Sequence, residues 1–394
     1  MSFSEQDRHF MAAALKLAAR GRSRTHPNPM VGCVIVKEGA VIGTGYHRKA
    51  GEPHAEVYAL QEAGESARGA TAYVTLEPCA HHGRTPPCAD ALIAAGVARV
   101  VAAMVDPDPR TAGQGLERLR AAGIQAEVGL LEQEAEALNR SWLTWKRTGR
   151  PFVILKWAMT LDGKIACASG DSRWVTGDAA RAHLHQIRDQ VDAILVGETT
   201  ARRDDPELTA RPTGPGPLPG WAGGIDPGPD EHWQPKDPLR IVLDSMAKTD
   251  LNARLFAPEL MERPLPNKTL IAATQLASPR KLAMIRERGA ETLELPEREQ
   301  VVALAPLLDE LGRRGITSLL VEGGGRIHWS FLSQGLADHL MVYVAPKVVG
   351  GATAPGPVAG QGLKAMAEAW ELVDRIQVTP IGEDLLLEGD LRKG

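Results

Sequence analysis

Two α/β domains in series are what this sequence predicts, and three observations carry the reading. The chain has 394 residues, more than one hydrophobic core ordinarily spans. Short β-branched runs alternate with helix-patterned stretches up to about residue 147, the alternation of an α/β unit. Trp142, Trp145, Lys146, Arg147 and then Gly149-Arg150-Pro151 mark a helix end and a hinge, after which a second alternation begins. The expected domains are therefore 1–147 and 148–394.

The elements follow in order. Met11, Ala14, Leu15 and Ala18 recur at helical spacing and predict an amphipathic helix over 5–20. Glu5 and Asp7 at its start, with no apolar core, read as the first helix of the fold and not as a secretion signal. Thr25-His26-Pro27-Asn28-Pro29 ends it. Runs at 31–36 and 41–45, joined by Lys37-Glu38-Gly39, predict a hairpin. Residues 54–63 read as helix, 72–76 as strand, 89–95 as helix and 99–105 as strand. In the second half, strands are expected at 152–157, 193–196, 239–243, 269–273, 318–321 and 340–345, the last clear one. Helices are expected at 178–188, 279–288 and 301–314. Residues 212–238 are dense in proline and glycine and predict a long loop inside the second domain. No internal repeat relates the halves.

Composition excludes several classes. Apolar content of 43% and charged content of 24% are those of a globular protein. A net charge of -4 and 4% aromatic residues supply neither the basic groove nor the stacking platforms of a nucleic-acid binder. No apolar run approaches the ~20 residues of a membrane span. Four cysteines make no disulfide framework and suit a reducing cytoplasm.

The stretch from His54 to Cys88 carries the chemistry. It reads His54-Ala-Glu56, then Glu77-Pro-Cys79-Ala-His81-His82-Gly-Arg84-Thr-Pro-Pro-Cys88. One imidazole and two thiolates make a three-ligand zinc site whose fourth position is left for water. Zinc lowers the pKa of such a water to about 7. Glu56, two residues after the histidine, is placed to shuttle protons without being a ligand. His-x-Glu with Pro-Cys-x-x-Cys is the pattern of zinc nucleobase deaminases, but here eight residues separate the cysteines instead of two. A structural zinc closed by His81 or His82 is the alternative, and it leaves Glu56 unexplained.

Three weaker stretches lie in the second half. Leu319-Leu320-Val321-Glu322-Gly323-Gly324-Gly325-Arg326 runs from strand to helix, where backbone amides can approach a phosphate; a plain tight turn is the alternative. Lys156 stands on the first strand, ahead of the Asp162-Gly163 turn, as a cation for a substrate oxygen or as a solvated lysine. Residues 204–211 read as a binding segment or a charged surface turn.

Together these stretches closely resemble the bifunctional deaminase–reductases of riboflavin biosynthesis. The matching runs are His26-Pro-Asn28-Pro-Met-Val-Gly-Cys33, Gly51-Glu-Pro-His54-Ala-Glu56, Thr75-Leu-Glu-Pro-Cys79, His82-Gly-Arg-Thr-Pro-Pro-Cys88, Thr160-Leu-Asp-Gly-Lys164, Ser172-Arg-Trp174, Asp204-Asp-Pro206 and Val321-Glu-Gly-Gly324. They span nearly the whole chain, and the eight-residue cysteine gap is that family's own pattern. The resemblance implies a cytidine-deaminase-like α/β/α domain followed by a dihydrofolate-reductase-like α/β domain. It implies hydrolytic deamination of 2,5-diamino-6-(5-phosphoribosylamino)pyrimidin-4-one with one Zn2+ per chain, then NADPH-dependent reduction of the ribosyl group to ribityl.

Carried over by position, His54, Cys79 and Cys88 bind zinc, Glu56 is the proton shuttle and Asn28 meets the pyrimidine. Ser172, Arg188, Leu208, Arg211 and Glu322 match substrate positions. Ala158, Trp174, Thr200, Asp204, Gly324, Gly325 and Arg326 match cofactor positions. Lys156 is assigned to polarise the sugar carbonyl. The expected partners are this small molecule, no nucleic acid, no membrane, and further copies of the chain in a homo-oligomer, which no residue pattern specifies. Gly325 stands where some relatives have proline, and 212–238 matches no motif. A tRNA deaminase with an accessory domain and a deaminase with a silent second domain are the rival readings.

Overall fold

The computed structural model describes residues 3–22, 24–81, 86–109, 111–262, 268–373 and 375–392. The chain forms two compact units. One is Met1–Thr148 together with Pro215–Gln234; the other is Gly149–Gly214 together with Pro235–Gly394. The expected division at 147/148 treats each domain as one continuous stretch, and the structure differs in this respect. Residues 215–234, expected as a loop inside the second domain, belong with the first unit. The reason is burial: Leu218, Trp221 and Ala222 are all buried apolar side chains, and a loop rich in turn residues can still be held by a few of them.

The first unit is built on a five-stranded sheet. Its spatial order is Ala40–Tyr46, Gly32–Lys37, Thr71–Val74, Arg99–Ala102, Gln125–Val128. The first two strands are the expected hairpin, turned by Glu38 and Gly39, both at positive φ. The third runs antiparallel to the second, and the last three are parallel. The first helix, Glu5–Ala18, starts at a reciprocal cap in which Ser4 and Asp7 bond each other's backbone amides. The helix Ala55–Ala63 lies almost flush on the hairpin, because Gly43 and Gly45 face it. An added Cβ on Gly43 would stand 2.2 Å from the Ala59 carbonyl oxygen, and one on Gly45 2.2 Å from that of Ala55.

The second unit is built on a nine-stranded sheet. In spatial order it reads Glu291–Leu295, Thr269–Thr274, Leu239–Leu243, Ala193–Gly197, Ser318–Gly323, Phe152–Thr160, His339–Ala345, Asp384–Asp390, Gln377–Ile381. The first seven are parallel, and apolar clusters cover both faces, as parallel sheets require. The last two form an antiparallel hairpin at the edge. That hairpin lies beyond the strand 340–345 expected to be last; its covered positions include Asp384 and Glu388 while Val378 and Leu385 are exposed, so it lacks the apolar-in, polar-out alternation that marks a strand. The expected helix 301–314 is shorter, Leu304–Arg313, since the β-branched pair Val301–Val302 instead bonds to Glu297–Arg298.

The glycine seat yields a test. Gly45→Val forces a side chain into the backbone of the helix that begins at the candidate metal ligand. Overpacking of this kind costs on the order of 1–3 kcal/mol. Calorimetry should find one unfolding transition lowered by several degrees and the other unmoved. Two unmoved transitions would mean that helix and strand separate without penalty.

Candidate functional site

The metal candidates sit where elements begin and end. His54 is the N-cap residue of Ala55–Ala63, Cys79 lies in the loop after Thr71–Val74, and Cys88 opens the helix Cys88–Ala95. Their donor atoms all lie within 4.8 Å of one another. His54 Nδ1 is 3.3 Å from Cys88 Sγ and 3.7 Å from Cys79 Sγ. Tetrahedral zinc with bonds of about 2.0–2.3 Å needs ligand separations of roughly 3.3–3.8 Å, so the three donors fit that ion. Among the described residues His81 does not join this group, although it lines the neighbouring cavity. His82, the other candidate for a fourth ligand, lies outside the described residues. Cys88 and His54, beside Cys79, hold its thiol well below the ordinary value against the effect of burial.

Glu56 is buried in the first turn of the helix that His54 caps, and among the described residues its Oε2 has no hydrogen-bond partner. Burial pushes its carboxyl above the usual range, with His54 opposing. A buried carboxylate oxygen without a partner is costly unless a ligand completes it.

Glu56, His54 and Cys79 open onto a cavity of about 550 Å3. Asn28 lines it and is held by His47, which the sequence reading missed. His47 Nδ1 is 3.0 Å from the Pro53 carbonyl oxygen, which makes that nitrogen the donor, and Nε2 accepts from Asn28 Nδ2 at 3.1 Å. Asn28 thus keeps its amide oxygen for a ligand. Glu77 is another omission. Its carboxylate accepts from the amides of Asp106, Gly113, Gly115 and Leu116 at 2.8–3.2 Å. It anchors the loop opposite Cys79 and carries Asp106 and Asp108 to the cavity wall. Trp142, Trp145 and Lys146, read only as a helix end, also line the cavity. Only their helical spacing, with the lysine one turn on from Trp142, hinted at it.

In the second unit the strand order brings distant residues together. Ser318–Gly323 lies between Ala193–Gly197 and Phe152–Thr160, with Val321 opposite Leu155, so Glu322 and Lys156 share a neighbourhood. Arg188 grips Glu322 with a two-pronged ion pair at 2.7 Å on each prong, and both residues are largely but not fully buried. Burial alone would raise the Glu322 carboxyl, but Arg188 overrides it and holds the pKa at about 2. Burial pushes the Lys156 ammonium below its ordinary value; Glu322 opposes this and Arg188 adds to it. Lys156 is therefore not the freely solvated lysine of the alternative reading.

Arg188 also donates to the Thr209 carbonyl at 3.2 Å, and Arg211 reaches Thr209 Oγ1 and His185. Leu208, buried and at positive φ, lies in the same segment. The cofactor candidates are spread more widely. Ala158 follows Lys156 on the same face of its strand, opposite Tyr343. Thr200 Oγ1 lies 3.3 Å from where a Cβ on Gly324 would be. Gly324 caps the helix Gly325–Ser333, and Arg326 in its first turn is exposed. Gly325 packs on Ala359. Trp174 is exposed beneath the Arg181 guanidinium, Ser172 is half-buried, and Arg173 between them donates to the Asp204 carbonyl at 3.3 Å.

Comparison with known proteins identifies the family. Residues 4–104 match the cytidine and deoxycytidylate deaminase zinc-binding region, and residues 151–387 match the RibD C-terminal domain. The riboflavin biosynthesis protein RibD of Escherichia coli K12 is 46% identical over 389 residues, covering 97% of this chain and 98% of that protein. The chain belongs to the RibD family. The RibD of Aquifex aeolicus is 42% identical, covering 97% of this chain and 98% of its own length. Acinetobacter baumannii RibD superposes with a TM-score of 0.81 at 38% identity, covering 98% of this chain and 99% of that one. The Thermotoga maritima structure, described as a diaminohydroxyphosphoribosylaminopyrimidine deaminase/5-amino-6-(5-phosphoribosylamino)uracil reductase, gives 0.80 at 32% identity over 98% of this chain and 99% of that one.

As a RibD protein the chain is a bifunctional deaminase and reductase of riboflavin biosynthesis. It has a cytidine-deaminase-like zinc-binding domain and a dihydrofolate-reductase-like, NADPH-dependent RibD domain. It acts on a small molecule, and among its described residues no helix is long and apolar enough to cross a membrane.

The Arg188–Glu322 pair has a pH consequence. The Glu322 carboxyl is held at about 2 in place of 4.5. A depressed carboxyl stabilises the fold above its unfolded pKa, and that stability, on the order of 3 kcal/mol, is lost as pH falls through the folded value. Urea unfolding of the second unit should therefore weaken between about pH 4.5 and 2. Glu322→Gln should flatten that part of the curve. Equal slopes in both proteins would refute the assignment.

Proposed function

We propose that the first unit hydrolyses the ring amino group of 2,5-diamino-6-(5-phosphoribosylamino)pyrimidin-4-one, releasing ammonia. The observation that carries this is the buried Oε2 of Glu56, without a hydrogen-bond partner among the described residues, beside three zinc-fitting donors, two of which, His54 and Cys79, line one cavity with it. His54, Cys79 and Cys88 would hold the zinc, which supplies an acidified water as nucleophile. Glu56 takes one proton of the attacking water at Oε2 and passes it to the ring nitrogen, then carries the second from the added hydroxyl to the amine, which leaves as ammonia. Its raised pKa suits a group that must both accept and release. Asn28, oriented by His47, presents its amide oxygen to the pyrimidine.

The second unit would then reduce the ribosyl group of the resulting uracil to ribityl. NADPH supplies the hydride. Lys156 donates to the sugar oxygen that is released from C1′ as hydride reaches that carbon, a role its place beside Glu322 and Arg188 supports. Ser172, Arg188, Leu208, Arg211 and Glu322 would bind substrate. Ala158, Trp174, Thr200, Asp204, Gly324, Gly325 and Arg326 would bind the cofactor, the helix start at Gly325 receiving phosphate. The same reading includes a cytoplasmic location, in keeping with four free cysteines. It also includes a homo-oligomer, supported by exposed Val378 and Leu385 on the outer face of the edge hairpin.

A coupled assay tests the whole. The diaminopyrimidine substrate should yield ammonia without NADPH, and the ribityl product only with it. Deamination with no NADPH oxidation would identify a silent second domain instead. Glu56→Gln should keep about one zinc per chain while losing on the order of a hundred- to ten-thousand-fold in deamination. Cys79→Ser or Cys88→Ser should lose the metal itself. A Glu56→Gln protein of normal rate would reduce Glu56 to a structural residue.

Gly324→Val separates a phosphate cradle from a simple turn. The backbone of Gly324, at φ -74° and ψ 177°, is open to any residue, whereas Gly323 at φ 137° is not. Valine at 324 should therefore leave a folded second unit that has lost NADPH affinity, with deamination intact. Unchanged affinity in the folded variant would remove the cradle.

A further inference from the structure

The geometry points to residues 215–234 as a strap that positions the deaminase pocket, through Asn28 and His47, although the chain encodes it between two stretches of the reductase unit. This rests on the reading of that pocket as a deaminase site.

Two sets of contacts, one on each side of the Asn28–His47 pair, carry the inference. On the first side the strap holds the segment leading to Asn28. Arg22, buried, donates to the Gly216 carbonyl, Arg24 donates to the Gln234 carbonyl, and Arg20 Nε reaches the Pro227 carbonyl at 3.4 Å. The Arg24 guanidinium also lies over the Trp233 ring, 5.9 Å from its centre. On the second side the Tyr46 hydroxyl donates to Asp230 Oδ1 at 3.0 Å, and Tyr46 is the residue before His47. The middle of the strap is anchored independently, by buried Leu218 and Trp221 and by Gly223 against Ala137 of the helix Glu132–Leu138.

The held segments are themselves joined. The Ala50 amide bonds the Arg24 carbonyl at 3.3 Å, and the His47 amide bonds the Val31 carbonyl at 2.9 Å. Both walls of the Asn28–His47 hydrogen bond are thus fixed from outside the cavity. The strap contributes no side chain to the cavity lining. Its effect is on the placing of the pyrimidine, not on the metal, whose ligands are on other elements.

The test uses the full chain, with the same diaminopyrimidine substrate. Residues 215–234 are replaced, residue for residue, by a glycine–serine sequence. KM for deamination should rise roughly tenfold, the scale of one misplaced hydrogen bond. Zinc content and reduction of supplied uracil intermediate should stay as in the natural chain. Point variants decide the matter if that replacement misfolds. Asp230→Ala and Tyr46→Phe should raise KM, while Asp230→Asn, which keeps an acceptor oxygen, should restore it.

Unchanged deamination kinetics in the replaced chain or in both point variants would overturn the strap. So would loss of zinc in step with activity, or an equal effect of Asp230→Asn and Asp230→Ala. Failure of the natural chain itself to release ammonia would instead overturn the reading of the site.

Discussion

The seating of one helix on two glycines is the constraint on which the first site depends. Ala55–Ala63 lies so close to the hairpin that its Ala55 and Ala59 carbonyl oxygens occupy the space of missing Cβ atoms on Gly45 and Gly43. That closeness buries Glu56 in the first turn and sets the His54 imidazole at the helix start, facing the thiols. Cys79 needs equal care, since it lies in a loop. Its neighbour Pro78 is pressed by Gly115, where a Cβ would stand 1.8 Å from the Pro78 carbonyl oxygen, and Glu77 ties four amides of the opposite segment. Metal geometry is held here by backbone packing and by one carboxylate acting as a hub.

The second unit solves a different problem. It gathers charges in a sheet whose faces are apolar. Removing Arg188 and Glu322 from water is expensive, and only excellent geometry offsets it. The two-pronged contact satisfies both groups and leaves Glu322 ionised. Lys156 then lies near a fixed anion and a fixed cation. Such a pair can tune an ammonium without neutralising it, which suits a donor to a developing oxyanion.

The proline- and glycine-rich stretch 215–234 crosses the simple picture of one domain after another. Its sequence position belongs to the reductase, while its buried side chains belong to the deaminase unit. A segment with little regular structure, one 3-10 turn at Gly220–Ala222, is held by backbone carbonyls given to Arg20, Arg22 and Arg24 and by a few apolar anchors. Sequence periodicity cannot register contacts of that kind, because they need neither a repeat nor a pattern.

The sequence by itself determined the α/β character, the hairpin at Glu38-Gly39 and the strand-to-helix turn at Gly323-Gly324-Gly325, since these follow from local periodicity and turn chemistry. It also set out His54, Glu56, Cys79 and Cys88, because metal chemistry demands those residue types. Tertiary structure alone decided what holds them. His47 behind Asn28, Glu77 as an amide hub and the place of Glu322 between two strands distant in sequence are long-range facts. The terminal hairpin escaped notice because acidic residues take covered positions while Val378 and Leu385 are exposed, and 215–234 because its anchors are a few scattered side chains and backbone carbonyls that follow no period. Short-range pattern reports what a residue prefers; which partner it meets depends on strand order and close packing, and these are set by the whole chain at once.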